Sequence, residues 1–410
     1  MSALAACRIC GNTSLVTVLD LGAQALTGAF PRPPETHVAV SPLVLVKCHG
    51  EGACGLVQLA HTYDLGKMYG EGYGYRSSLN RSMVRHLAAK VEALRARRPV
   101  GAGDVVLDIG SNDGTTLAQY PAEVTRIGVD PTAAKFASYY QPGIQVAAEF
   151  FNALAFERLA PGKKARVVTS IAMFYDLPAP MDFVRDVARV LADDGIWHFE
   201  QSYLPSMLET NSYDTVCHEH LEYYGLRQIH WMTRRAGLRI IDVQLNDVNG
   251  GSFAVTVEKG EGDAPIVDEM IAKEDALGLH TLAPYEAFAA RAERHRVELP
   301  ALLEKLKAEG KKVLGLGAST KGNVVLQYCG IGPDLLPAIA EVNADKFGCV
   351  TPGTLIPIVS EDEARAEKPD VLMVLPWHFR KTFSERERPF LAGGGELLFP
   401  LPEIELAGAP

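Results

Sequence analysis

The sequence predicts an α/β protein that has a small cysteine-bearing module at its N-terminus and two doubly wound domains behind it. Three observations predict this arrangement. Four of the seven cysteines lie within the first 54 residues. From Val105 onward, short apolar runs alternate with helical periodicity, which favours a parallel sheet with right-handed crossovers. A second alternation of the same kind begins at Lys312, after a long helical stretch.

The chain length is consistent with this division. At roughly 150 residues per domain, 410 residues suggest two to three domains. We expect the cysteine-bearing module at 1–70, the first doubly wound domain at 71–245 and the second at 246–410.

Composition and charge exclude several classes of partner. The formal net charge of −10 argues against nucleic acid, which needs a clustered positive field. It leaves a nucleotide-sugar substrate open, because one helix N-terminus can hold a diphosphate. No apolar run approaches the length of about 18 residues that spans a bilayer, and Met1–Gly11 lacks the features of a signal peptide. We therefore expect a cytoplasmic protein with no membrane partner.

Helix and strand signals follow one another through the rest of the chain. Residues Asn80–Arg98 predict a helix, because apolar residues recur at three- and four-residue steps before Pro99. Further helices are predicted at Val184–Leu191 and across residues 264–309. The predicted strands are Val105–Ile109, Arg126–Val129, Val167–Ile171, Gly195–Phe199, Arg239–Leu245, Phe253–Val257, Lys312–Leu316, Ile339–Val342 and Val371–Leu375.

The first strand runs into a glycine turn, Gly-Ser-Asn-Asp-Gly, at residues 110–114. Glycine permits positive φ and close approach of a ligand, and ligands bind beyond the carboxyl ends of parallel strands. The next strand ends at Asp130, where a carboxylate can hydrogen-bond ribose hydroxyls. The spacing departs from the GxGxxG pattern that cradles a pyrophosphate, so we predict S-adenosylmethionine as the cofactor. Its expected binding residues are Asp108, Gly110, Asn112, Asp113, Gly114 and Asp130.

Two other interpretations of this turn stay open. One is an ordinary βαβ turn with a buried or capping aspartate, and the other is a site for NAD.

The N-terminal cysteines are spaced like metal ligands. Cys7 and Cys10 form a CxxC knuckle, and Cys48 with Cys54 gives a second pair. Four thiolates complete a tetrahedral zinc site, and closed sites of this kind are structural. The second pair is wider than the usual spacing, so His49 remains an alternative ligand. Unliganded cysteines are the remaining interpretation.

Titratable groups are concentrated at Cys217-His218-Glu219-His220, followed by Tyr223 and Tyr224. Histidine accepts a proton near neutral pH, and a neighbouring carboxylate raises its basicity. His218 and His220 would share a face if this segment is extended. An exposed loop or a stray metal site explains such a run about as well.

Taken in order along the chain, these motifs resemble those of sugar C-methyltransferases that act on nucleotide-linked 4-keto-6-deoxyhexoses, typically at C-3. The resemblance extends over nearly the whole chain. The motifs that carry it are the Cys7/Cys10 knuckle with Leu19-Asp20-Leu21-Gly22, Cys54-Gly55-Leu56-Val57-Gln58-Leu59, Tyr73-Gly74-Tyr75-Arg76-Ser77-Ser78, the Gly110–Gly114 turn, Glu219-His220, Gly315-Leu316-Gly317-Ala318-Ser319-Thr320-Lys321 and Thr351-Pro352-Gly353.

The resemblance implies a zinc-binding module, a central class I (Rossmann-like) methyltransferase domain and a C-terminal Rossmann-like domain that binds the nucleotide sugar rather than NAD. A glycine turn with a lysine at a helix N-terminus is compatible with binding an anion, although a plain turn with a surface lysine remains the alternative. The expected substrate-binding residues are Ser319, Thr320, Lys321 and Tyr223. The resemblance also suggests a monomer, and the choice between a dTDP- and a GDP-linked sugar stays open.

The implied reaction is removal of the C-3 proton, followed by attack of the resulting enediolate on the methyl donor. We expect His220 to be the base, with Glu219 as the competing candidate and His218 nearby. Tyr75 matches a family active-site tyrosine that would hydrogen-bond the sugar or the developing oxyanion. The family pattern has a tyrosine three residues before His220, where this chain has Cys217. A thiol does not reproduce the hydrogen bond of a phenol, so the roles within this cluster stay open.

Three other functions remain. One is an O- or N-methyltransferase, because the cofactor turn does not indicate which substrate atom accepts the methyl group. A nicotinamide-dependent sugar oxidoreductase is less favoured, because the first domain lacks a GxGxxG motif and no clear Tyr-x-x-x-Lys pair is present. A non-catalytic zinc-module scaffold is the third.

Overall fold

The structure is a computed structural model that describes residues 2–63, 66 and 75–408. Tyr73 and Gly74, which belong to one of the motifs above, lie outside the described residues.

The elements are numbered here in chain order. The strands are β1 Ser2–Ala3, β2 Leu15–Ala25, β3 Val40–Cys48, β4 Val57–Leu59, β5 His61–Thr62, β6 Val105–Ile109, β7 Thr125–Val129, β8 Ile144–Ala147, β9 Ala165–Ile171, β10 Leu191–Ser202, β11 Glu222–Tyr223, β12 Leu238–Asn246, β13 Ser252–Lys259, β14 Val313–Leu316, β15 Ile339–Glu341, β16 Ile358–Ser360, β17 Val371–Val374, β18 Glu396–Phe399 and β19 Glu405–Ala407. The α-helices of the described residues are α1 Arg81–Arg97, α2 Ala153–Leu159, α3 Pro180–Val190, α4 Leu204–Glu209, α5 Leu226–Arg235, α6 Pro265–Ala276, α7 Ala283–Ala308, α8 Thr320–Tyr328, α9 Glu361–Ala366, α10 Arg380–Arg386 and α11 Arg388–Ala392.

The N-terminal module is built on an antiparallel sheet with the strand order β11-β4-β3-β2. Side chains alternate along β2, so that Leu19 and Leu21 are buried while Asp20 faces solvent. The edge strand β11 comes from the middle of the chain, and its Glu222 lies opposite Gln58 of β4. The module and the segment after His220 are therefore joined by backbone hydrogen bonds.

A seven-stranded sheet with the order β12-β13-β10-β9-β6-β7-β8 forms the central domain. Its strands β8, β7, β6, β9 and β10 are parallel, and β13 is antiparallel to both of its neighbours. Every residue of β6 is buried, as expected for a strand covered on both faces. The predicted Rossmann-like central domain is confirmed.

The C-terminal part contains a six-stranded sheet with the order β16-β15-β14-β17-β18-β19, parallel except for β19. The predicted second Rossmann-like unit is also confirmed. The long helical region expected at 264–309 is present, and it is divided into the two helices α6 and α7. Gly278, at φ +72°, lies in the break, where a left-handed residue ends the first helix.

The division at 1–70, 71–245 and 246–410 stays a prediction. Strand β13 lies C-terminal to the expected boundary at 245 and is hydrogen-bonded into the central sheet. Within the described residues, no helix is both long and apolar enough to cross a membrane.

Candidate functional site

The four N-terminal cysteines converge on one point. The Sγ atoms of Cys7, Cys10, Cys48 and Cys54 all lie within 4.8 Å of one another. The Sγ atoms of Cys7 and Cys54 are 3.5 Å apart, as are those of Cys10 and Cys48. Zn–S bonds of about 2.3 Å place the sulfurs of a tetrahedral site about 3.8 Å apart, so the cluster fits zinc. His49 is not a member of this group.

Polar side chains around the cluster hold it in place. Gln228 of α5 donates a hydrogen bond to the Cys54 carbonyl at 2.9 Å, and the Lys47 ammonium donates to the Gly55 carbonyl at 3.3 Å. Lys47 is buried, and burial lowers its pKa while the Cys54 and Cys48 thiols raise it. A buried ammonium beside four thiolates offsets part of their negative charge.

A cavity of about 370 Å³ lies at the carboxyl ends of the central parallel strands. It brings together the glycine turn, the acid–base cluster and the start of α8 in the C-terminal domain. The predicted site residues on its wall are Tyr75, Asp108, Gly110, Asn112, Asp130, Glu219, His220, Thr320 and Lys321.

The cofactor end of the cavity is formed by β6, β7 and the turn between residues 110 and 114. Gly110, at φ +72°, and Asn112, at φ 50°, turn the backbone sharply after β6. The backbone amide of Asn112 donates a hydrogen bond of 2.8 Å to Asp130 Oδ2, and this bond connects the turn to the end of β7. Asp108 is fully buried, and burial raises its pKa to about 7. A turn flanked by carboxylates fits the ribose and the cationic amino group of S-adenosylmethionine.

Asp113 and Gly114 are not on the described lining of the cavity, and both shape the turn. Asp113 accepts hydrogen bonds from the Ser78 amide at 2.9 Å and from Thr115 Oγ1 at 2.6 Å. A Cβ atom on Gly114, which has φ +77°, would lie 2.7 Å from the Tyr140 ring. Their role in binding the cofactor stays a prediction.

The exposed Tyr75 is held near the turn through its backbone. Asn112 Nδ2 donates to the Tyr75 carbonyl at 3.1 Å, and Asn112 Oδ1 accepts from the Ser77 amide at 3.0 Å. The segment that carries Tyr75 is therefore attached to the cofactor turn.

His220 is held in one tautomer by the backbone. Its Nδ1 lies 2.8 Å from the Thr215 carbonyl oxygen, which only accepts, so Nδ1 carries the proton and Nε2 does not. Burial, together with a smaller contribution from the nearby Lys321 ammonium, lowers the pKa of His220 to about 4. The Tyr175 ring packs against the imidazole with the ring centroids 4.3 Å apart. This environment produces a neutral imidazole at physiological pH.

The pKa of Glu219 is shifted in the opposite direction from that of His220. Burial raises the pKa of this carboxyl group, and its Oε2 has no hydrogen-bond partner among the described residues. A Cβ atom on Gly28 would clash with Glu219 Oε1, so the N-terminal module approaches the carboxyl group closely.

His218 and Tyr223 lie apart from the described cavity wall. His218 Nε2 donates to the Ser41 carbonyl at 3.2 Å, and the Tyr223 hydroxyl donates to the Thr215 carbonyl at 3.4 Å. Residues 217–220 form a turn, closed by a hydrogen bond of 3.2 Å from the His220 amide to the Cys217 carbonyl. Because this segment is not extended, His218 and His220 do not share a face.

Helix α8 of the C-terminal domain begins at the cavity. Ser319 caps this helix, since its Oγ accepts a hydrogen bond of 3.0 Å from the Gly322 amide. Lys321 Nζ donates to the Asn249 carbonyl at 2.7 Å. Burial lowers the pKa of Lys321, and the buried Asp214 opposes this change. Ser319 thus stabilises the first turn of the helix, while Thr320 and Lys321 face the cavity.

Several residues on the cavity wall were not predicted from the sequence. They lie at or just beyond the carboxyl ends of β7, β9 and β10, and the rule that ligands bind at these strand ends could have identified them. They include Thr132, Met173, Tyr175, Asp176, Gln201 and Ser202. Glu200 also lines the cavity. Burial raises the pKa of this carboxyl group, but its hydrogen bonds and ion pairs with His86 and Lys90 outweigh burial and lower the pKa to about 2.

Comparison with known proteins identifies each part of the chain. A zinc-binding domain model matches residues 7–69, a methyltransferase domain model matches residues 79–243, and a C-methyltransferase C-terminal domain model matches residues 247–402. The C-methyltransferase NovU of Streptomyces niveus is 31% identical over 410 residues, which is 98% of this chain and 97% of NovU.

Similarity to solved structures is weaker. The CcbJ methyltransferase of Streptomyces caelestis has a TM-score of 0.35 and 14% identity, over 48% of this chain and 97% of CcbJ. The N-methyltransferase NodS of Bradyrhizobium japonicum has a TM-score of 0.33 and 13% identity, over 44% of this chain and 99% of NodS.

The predicted cofactors are confirmed. The methyltransferase domain uses S-adenosylmethionine, and the four-cysteine cluster of the zinc-binding domain holds a structural zinc ion. The match to NovU spans all three parts of the chain. The chain belongs to the three-domain, S-adenosylmethionine-dependent C-methyltransferase family.

Proposed function

We propose that this C-methyltransferase methylates C-3 of a nucleotide-linked 4-keto-6-deoxy sugar, with His220 as the base. The observation that carries the proposal is the position of His220, whose Nδ1 donates a hydrogen bond to the Thr215 carbonyl and which lies on the same cavity wall as the cofactor turn. A neutral imidazole with an unprotonated Nε2 is the form that accepts a proton.

The two neighbouring titratable groups support separate roles. Burial lowers the pKa of His220 to about 4 and raises that of Glu219. Opposite shifts of this kind assign a base and an acid within one site. His220 therefore acts as the base, and Glu219, whose protonated form burial favours, donates a hydrogen bond to the substrate.

In the proposed reaction, His220 Nε2 takes the C-3 proton, which the adjacent 4-keto group makes acidic. The electron pair of the broken C–H bond forms an enediolate whose oxygen at C-4 is negatively charged. Glu219, on the same wall, stabilises this oxygen. Bound S-adenosylmethionine supplies an electrophilic methyl group to C-3. His220 then releases its proton to solvent.

The nucleotide end of the substrate is assigned to the start of α8. Backbone N–H groups at a helix N-terminus and one ammonium favour a diphosphate. Thr320 and Lys321 meet the cavity at this point. Residues of the central and C-terminal parts of one chain line the cavity, so we expect a monomer. We also place the protein in the cytoplasm, because cysteines that bind zinc rather than forming disulfides are typical of a reducing compartment.

A product assay tests this function. Wild-type protein, S-adenosylmethionine and dTDP- or GDP-linked 4-keto-6-deoxyhexose should give a sugar heavier by one methyl group. NMR should locate that methyl on C-3. A methyl group on oxygen or nitrogen would contradict the proposal, as would the absence of product with both sugars.

A further inference from the structure

One buried side chain on the cavity wall has no role in the mechanism above. Gln201 is the penultimate residue of β10 and is 1% exposed. Neither its Oε1 nor its Nε2 has a hydrogen-bond partner among the described residues. Buried side-chain polar atoms are nearly always hydrogen-bonded in native proteins, so an orphaned amide on a cavity wall indicates a ligand contact.

The strand geometry explains why the protein does not satisfy this amide. Successive side chains of β10 point to opposite faces. Glu200 points toward α1, where it pairs with His86 and Lys90. Gln201 points the other way, on the face of Phe199 and opposite Phe253 of β13. Both phenylalanines belong to the buried core and offer no polar atom.

The position of Gln201 favours the sugar over the cofactor. The cofactor turn follows β6, and β9 lies between β6 and β10, so the two strands are about 10 Å apart. The acid–base segment, in contrast, runs over the ends of β9 and β10. The Leu221 amide donates to the Tyr175 carbonyl at 2.8 Å, and the Leu204 amide donates to the Tyr224 carbonyl at 2.9 Å.

We propose that Gln201 is a specificity-determining residue that hydrogen-bonds a ring hydroxyl of the sugar. A primary amide offers both an acceptor and a donor, which matches a hydroxyl group. A site built to bind a hydroxyl rejects analogues that lack it, because the amide is then left unpaired. This inference rests on the proposed sugar substrate.

The test compares Gln201→Leu with Gln145→Leu, the same change at an exposed position on β8. Calorimetry measures the binding of S-adenosylhomocysteine and of dTDP- and GDP-linked 4-keto-6-deoxyhexose. Gln201→Leu should weaken sugar binding by roughly tenfold, the effect of one hydrogen bond, and leave S-adenosylhomocysteine binding unchanged. Its melting temperature should not fall, because no protein hydrogen bond is lost. Gln201→Met serves the same purpose if the leucine variant does not fold.

Analogues provide the sharper readout. Wild-type protein should bind the 2-deoxy or the 3-deoxy analogue of its sugar roughly tenfold less tightly, and Gln201→Leu should bind it as well as the parent sugar. Weaker S-adenosylhomocysteine binding with unchanged sugar binding would overturn the inference, as would unchanged binding of both ligands. Wild-type protein that binds S-adenosylhomocysteine and neither sugar would overturn the proposed function itself, and this inference with it.

Discussion

Gly28 lacks a side chain at the point where Glu219 comes closest to it, and a Cβ atom on residue 28 would overlap Glu219 Oε1. The same point lies 3.9 Å from Thr320 Oγ1 of the C-terminal domain. The N-terminal module therefore packs against the acid–base segment as well as carrying zinc. Glycine at position 28 leaves the space that the carboxyl group occupies.

Replacing this glycine should displace the carboxyl group. We expect Gly28→Ala to lower kcat by roughly tenfold, because Glu219 would lose its position beside the developing oxyanion. S-adenosylhomocysteine binding should be unchanged, since the cofactor turn is untouched. Gly101→Ala is the matched control, because nothing lies within 4 Å of its added Cβ atom. A normal kcat in Gly28→Ala would contradict the proposed position of Glu219.

Removing the side chain of the base should lower kcat without changing the affinity for the cofactor. We expect His220→Asn to reduce kcat by at least about 100-fold, since general base catalysis commonly contributes this much. Its affinity for S-adenosylhomocysteine, measured by calorimetry, should stay within about twofold of the wild type. Substantial turnover in this variant would remove His220 from the role of base.

The low pKa of His220 predicts a particular pH profile. The imidazole is protonated below about pH 4 and neutral above it. The fall in kcat that protonation of this base causes should therefore begin only as the pH approaches 4. A fall centred near 6.5, the ordinary histidine value, would contradict the buried environment of His220.

Asp108 should make cofactor binding depend on pH near neutrality. Its pKa is raised to about 7 by burial, so the carboxyl group gains its charge as the pH rises from about 6 to about 8. The charged form attracts the amino group of S-adenosylhomocysteine, and binding should tighten over this range. Asp108→Asn should lose the dependence. A wild-type affinity that is constant with pH would contradict this role for Asp108.

Loss of zinc should destabilise the protein. We expect Cys54→Ser to lower the bound zinc and to reduce Tm by at least about 5 °C, because the binding free energy of a structural zinc is folding free energy. Cys349→Ser, at a buried cysteine outside the cluster, should retain its zinc. Wild-type protein that is metal-free and equally stable would contradict the structural role of zinc.

Local signals in the sequence predicted most of the fold. Strand β6 and the turn at residues 110–114 were identified because a buried strand and its glycines are adjacent in the chain. The four-cysteine cluster was identified because Cys7 and Cys10 have CxxC spacing and a second cysteine pair lies nearby in the chain. The break between α6 and α7 was missed, since one glycine in a long periodic stretch is a weak signal.

Contacts between distant segments were not predictable in the same way. The approach of Gly28 to Glu219 and the pairing of Glu222 with Gln58 depend on how three parts of the chain pack together. His218 was included because it would share a face with His220 in an extended segment, but a turn directs it toward Ser41. Gln201 carries no motif, and its importance follows only from its lack of partners in the folded protein.

Deuterium exchange at C-3 tests the central proposal most directly. The nucleotide sugar is incubated in heavy water with wild-type protein and S-adenosylhomocysteine, which has no methyl group to transfer. Mass spectrometry and NMR should detect exchange of the C-3 hydrogen with the wild type, and none above the protein-free rate with His220→Asn. Equal exchange of the C-3 hydrogen by both proteins would contradict His220 as the base. Methylation by a wild-type protein that gives no detectable C-3 exchange would contradict it as well.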